Sequence, residues 1–105
     1  MVKIDLSIHD GQVYKVLSGY DFGKAVRKKL DLDHLDTQPD LVVFSIPKCV
    51  YSLNSSFFSA LFKESLESLK EQGFREKYQF ECSSSIRKNI ENGIFEIMNT
   101  LNWIG

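Results

Sequence analysis

Sulfur is scarce in this 105-residue chain, which has two cysteines, Cys49 and Cys82, and two methionines. The cysteines lie far apart, with no CxxC and no histidine at ligand spacing. Zinc takes about four ligands, which are not available here, and a disulfide is not expected in a reducing cytosol. Each thiol is expected to be buried and inert. An excess of one charge is also missing. Thirteen Lys and Arg face fourteen Asp and Glu, for a net charge of -1. A nucleic-acid binder needs a basic face to offset phosphates, so no nucleic-acid partner is expected. No apolar run approaches the ~20 residues of a membrane-spanning helix, and Met1-Val2-Lys3-Ile4-Asp5 holds no signal-peptide core. A cytoplasmic protein without a membrane partner is therefore expected. Neither GxGxxG nor GxxxxGK[ST] occurs. Ser18-Gly19-Tyr20-Asp21-Phe22-Gly23 has two glycines, and reads as a reversal of the chain in preference to a phosphate loop. No cofactor is expected.

What is present is a globular composition, 43% hydrophobic, long enough for one domain over residues 1–105. Val2, Ile4, Leu6 and Ile8 alternate with polar residues, the pattern of a strand with one buried face. Asp10-Gly11 is a tight-turn dipeptide, and Val13 to Leu17 reads as the returning strand of an opening hairpin. Asp21 is placed to cap a helix whose inner face holds Phe22, Ala25, Val26 and Leu30. Lys24, Arg27 and Lys28 are expected to face water, and apolar surface extends through Leu32 and Leu35 to about Asp36. Leu41 to Ile46 is a continuous apolar run, as in a central strand covered on both faces. Asn54-Ser55-Ser56 offers three capping residues to a helix buried through Phe58, Leu61, Phe62 and Leu66 and stopped at Gly73. Lys77 to Cys82 alternates as a further strand. Ser83-Ser84-Ser85 opens a last helix with Ile86, Ile90, Ile94, Ile97, Met98 and Leu101 inward, and Trp103 and Ile104 are expected to fold back on the body. The order β-β-α-β-α-β-α implies a single-domain α/β sandwich: a mixed sheet with an antiparallel edge and helices packed on it.

Catalytic constellations are thin. A nucleophile needs a base in reach and a group to orient it. His9 beside its turn reads as solvent-exposed, and His34 as a helix-end residue. Asp31, Asp33 and Asp36 lack the glycine and distal glutamate of a calcium loop, so a solvated helix end is the better reading. Asn54-Ser55-Ser56 is the exception. Carboxyl ends of α/β strands, and the helix starts behind them, are where ligands and modifications gather. Free N–H groups there receive an anion, so a phosphoryl group on a serine would be stabilised. Plain capping is the competing reading.

This order of elements, with Asn-Ser-Ser after a buried strand and at a helix start, resembles the STAS domain of anti-sigma factor antagonists. The family's Asp-Ser-Ser-Gly is met here as Asn54-Ser55-Ser56-Phe57. Ser18-Gly19-Tyr20-Asp21-Phe22-Gly23 with Arg27, and Ser55-Ser56-Phe57-Phe58-Ser59-Ala60-Leu61-Phe62 behind Leu41 to Ile46, are similar to the STAS-like domains of unknown function. The resemblance implies a non-catalytic regulatory module that binds a histidine-kinase-type ATPase or related regulator. It also implies Ser55 as the phosphoacceptor, and a docking surface of Asn54, Ser55, Ser56, Phe57 and Ser59. Asn54 for the family's aspartate removes a charge beside the serine, and Phe57 for its glycine adds bulk. Two other readings stand beside this one. The first is a constitutive inhibitor or assembly subunit, encoded by a phage or mobile element, binding through Tyr14 and Tyr20 or the Trp103 tail. The second is a ligand binder or enzyme using Ser45, Asn54, Ser55 and Ser83.

Overall fold

The computed structural model describes the backbone of residues 1–104 and the side chains of residues 1–101. Its first strand, β1 (Val2–Asp5), ends earlier than the alternation of the sequence predicts. The Asp5 carboxylate accepts hydrogen bonds from the Ser7 backbone N–H at 2.7 Å and from its hydroxyl at 2.6 Å. That local turn competes with the strand and bends the chain. Leu6 and Ser7 are both buried, and the parity of the following residues reverses: Ile8 faces solvent and His9 is buried. A one-residue slip moves every later side chain to the opposite face.

The expected hairpin survives only as β2 (Ile8–His9) with β3 (Gln12–Val13), antiparallel, in register Ile8↔Val13 and His9↔Gln12. Asp10 at φ 54 and Gly11 at φ 79 turn it, the positive pair that a two-residue hairpin demands. β4 (Val16–Leu17) pairs in parallel with β6 (Ser52–Leu53) instead of returning along β1. The principal sheet is β1-β5-β7, with β5 (Val42–Ser45) central and β7 (Tyr78–Glu81) at the far edge. Both of its pairings are parallel. The chain is thus an α/β fold holding both kinds of pairing, but its antiparallel ladder is detached from the main sheet.

Strand order and chain order coincide in this sheet. With the right-handed crossovers that parallel strands favour, an order of this kind sets both connections on the same face. Val2, Ile4, Val42, Phe44, Tyr78 and Phe80 share that face by register, and Phe44 and Tyr78 are buried. The opposite face carries Lys3, Asp5, Val43, Ser45, Gln79 and Glu81, and Lys3 Nζ reaches Glu81 Oε1 across it at 3.1 Å. Val42, Val43 and Phe44 are all buried, as the apolar run of β5 predicts, while the flanking strands expose Lys3, Gln79 and Glu81 on this second face. Val43 is the one apolar residue there, and it is itself buried.

The helices are α1 (Tyr20–Leu30), α2 (Leu32–Leu35), α3 (Ser55–Lys77) and α4 (Ser84–Ile104). α1 is opened by Gly19 at φ 100, ahead of the expected cap Asp21, and Asp31 in the left-handed region separates α1 from α2. α3 breaks at Lys70, φ 63 and ψ 169, and not at Gly73; it then resumes and runs directly into β7. Ser83 caps α4 as expected, its hydroxyl oxygen accepting from Ile86 N–H at 3.2 Å. Ile86, Ile90, Ile94 and Ile97 are buried, with Met98 and Leu101 packed beside them. The fold-back expected of the Trp103 and Ile104 side chains lies outside the described residues. No helix among the described residues is long and apolar enough to cross a membrane.

Candidate functional site at the start of α3

Asn54 is the N-cap of α3, with extended backbone, and its Oδ1 accepts from Ser56 N–H at 2.7 Å. The same oxygen accepts from the Ser56 hydroxyl at 2.5 Å. Ser56 and Asn54 are thus engaged with each other. Ser55, between them, is exposed. Capping by Asn54 leaves the Ser55 hydroxyl free for other chemistry, which separates the two adjacent serines in a way their order in the chain does not. One turn on, Ser59 is half-buried and shares with Ser55 a cleft of about 170 Å³ between α3 and α4. Lys63, Gly93, Glu96, Ile97 and Thr100 complete its walls.

Phe57 does not belong to this surface. It is 0% exposed and its ring lies 5.4 Å from that of Phe22, so it is a core residue that cannot contact a partner. A phenylalanine here anchors α3 to α1 and leaves the approach to Ser55 unobstructed.

The immediate neighbour of the site also differs from expectation. α3 follows β6 and not the central strand, because Pro47 to Tyr51 carries the chain aside before it re-enters a ladder. Pairing of β4 with β6 brings the starts of α1 and α3 side by side. Asn54 N–H donates to Leu17 O at 2.8 Å and Tyr51 N–H to Lys15 O at 3.0 Å. The two helices approach so closely that a Cβ on Gly23 would stand 2.6 Å from the Phe57 carbonyl oxygen and 2.7 Å from Ala60 Cβ. The two glycines of Ser18-to-Gly23 are accounted for by this geometry: Gly19 supplies a positive φ before α1, and Gly23 lets the helices touch.

Chemistry-bearing side chains do gather elsewhere, around Arg27, expected at the surface but buried. Its Nε donates to Glu64 at 3.0 Å, its Nη1 to Leu61 O at 2.8 Å and Ser65 Oγ at 2.9 Å. Its Nη2 donates to Asp33 at 2.7 Å and Asp36 at 3.0 Å. The Asp36 carboxylate, 5% exposed, also accepts from the Ser65 and Tyr78 hydroxyls. Asp31 and Asp33 are exposed, as a solvated helix end predicts, although Asp33 also pairs with Arg27; Asp36 departs from that reading, its side chain the buried partner of a buried cation. Burial opposes the charge on the guanidinium, but the bonds to Asp33 and Asp36 outweigh it and raise the Arg27 pKa above its ordinary value. Burial, then the bond to Asp36, pushes the Tyr78 phenol far above its ordinary range. Ser65 and Tyr78 are closed to solvent and tie α3 and β7 to Asp36, while Asp33 and Glu64 at the outer side of the cluster line an open pocket with Lys24 and Lys28. The one sign of it in the sequence is that Arg27 stands four residues after Gly23, on the helix face that meets α3.

His9, expected in solvent, is buried; its Nε2 must carry the proton, since it meets the Leu6 carbonyl oxygen at 2.5 Å. Its ring packs edge-on against Tyr14 and Phe22, so Tyr14 also faces inward. Cys49 is exposed, against expectation, and Cys82 is half-buried; burial pushes the Cys82 thiol up. Ser83 is occupied as a cap, and neither it nor Ser45 lines the cleft beside Ser55. Comparison with protein-family models, curated proteins and solved structures finds no match.

Proposed function

We propose that this chain is a small, non-catalytic, regulatory protein–protein interaction module, similar to the STAS-like anti-sigma factor antagonists. In this reading it docks on a histidine-kinase-type ATPase or related regulator through the start of α3, and phosphorylation of Ser55 switches the complex. The observation that carries it is the exposed Ser55 hydroxyl at a helix start, beside Asn54 and Ser56, which are engaged with each other. Around it the docking surface reduces to Asn54, Ser55, Ser56 and Ser59, with Phe57 withdrawn into the core. A phosphoryl group on Ser55 would sit at a helix N-terminus, where the fold tolerates it, and would bring about two negative charges to the contact.

The test is affinity capture from extracts of the source cells with tagged wild type, Ser55→Ala and Ser55→Asp, followed by mass spectrometry. An ATPase or regulator held by wild type and Ser55→Ala but lost by Ser55→Asp is the expected result. The same partner held equally by all three removes the switch.

A second reading, constitutive binding as an inhibitor or assembly subunit, is favoured by a different observation. Ile8, Val13, Val16, Tyr20 and Tyr51 are exposed on the hairpin, the β4–β6 pair and the start of α1. Exposed apolar side chains on neighbouring elements are candidates for a contact surface. Under this reading Val13→Lys with Tyr51→Lys abolishes capture, while Ser55→Asp leaves it intact.

A further inference from the structure

We draw no further inference here: the strongest candidate, the exposed apolar strip of Ile8, Val13, Val16 and Tyr51 on the β2–β3 hairpin and the β4–β6 pair, carries nothing beyond the interaction reading because nothing in the structure shows what covers it.

Discussion

Arg27 illustrates how one side chain can hold several elements. Every N–H direction of its guanidinium is used, by groups on α3 and by the two aspartates around α2. Removing a partner from a buried ion pair leaves the other charge uncompensated. Arg27→Ala is therefore expected to destabilise the protein by about 3–5 kcal/mol, read as a lower urea midpoint. Lys70 presents the opposite case, a residue whose conformation costs stability. At φ 63 and ψ 169 it occupies a region nearly reserved for glycine, at a cost of roughly 1–3 kcal/mol. Lys70→Gly relieves that strain and loses some of the gain to unfolded-state entropy. A net rise of about 1 kcal/mol in unfolding free energy is expected, and a fall would show that the Lys70 side chain contributes more than its backbone costs. Among titrating groups, Arg75 donates to Glu91 and holds that carboxyl below its ordinary 4.5. A carboxyl depressed in the folded state adds stability above its unfolded value, and that stability is lost as pH falls through the folded one. Both side chains are nearly half exposed, so the contribution is a few tenths of a kcal/mol at most. Glu91→Gln should flatten the acid limb of stability slightly, and the difference from wild type should fade in high salt.

At the level of elements, the α1–α3 contact governs the site. Both helices start from one parallel strand pair and cross where Gly23 meets Phe57 and Ala60. A methyl group at Gly23 has backbone in its way and cannot be accommodated by rotating a side chain. Gly23→Ala is expected to cost about 1–3 kcal/mol, measurable by chemical denaturation, and to displace the start of α3 relative to α1. The first turn of α3 carries no acidic residue, and a negative charge there interacts favourably with the helix dipole by about 0.3–1 kcal/mol. Ser55→Asp should therefore melt at or slightly above the wild-type temperature. That outcome makes the variant a clean probe of partner binding, because any loss of complex cannot then be assigned to unfolding. Much of this arrangement was legible beforehand. Asn54-Ser55-Ser56 marked the start of α3, and the isoleucines of α4 marked its buried face. The break at Lys70 was not, since Gly73 is the residue with the lower intrinsic cost. Phe74, fully buried against Phe62 and Tyr78, and Lys77, bound to the carbonyls of Gln38 and Asp40, hold the segment after the break in place.

For the molecule as a whole, one three-stranded parallel sheet contributes Phe44 and Tyr78 to the core, and a small ladder and a hairpin account for the remaining strands. The local sequence determined what depends on neighbours in the chain: an α/β fold, the Asp10-Gly11 turn, the caps of α3 and α4, and the apolar faces that the helices bury. These follow from backbone propensities and from periodicity over a few residues. Tertiary structure decided everything that depends on partners distant in the chain. The Asp5–Ser7 turn is short-range, but whether it interrupts a strand depends on whether Leu6 and Ser7 both find burial. Parity then made His9 a core residue and Ile8 a surface one. Arg27 reads as solvated on an amphipathic helix until Asp36, Ser65 and the Leu61 carbonyl converge on it. Phe57 reads as an obstacle beside Ser55 until α1 is packed against it. Ser55 is exposed between two neighbours that are engaged with each other, while Phe57, two residues on, turns inward. Periodicity assigns a residue to a helix or a strand, but its neighbours across the fold decide whether a charge is buried, a ring is hidden or a hydroxyl is left free.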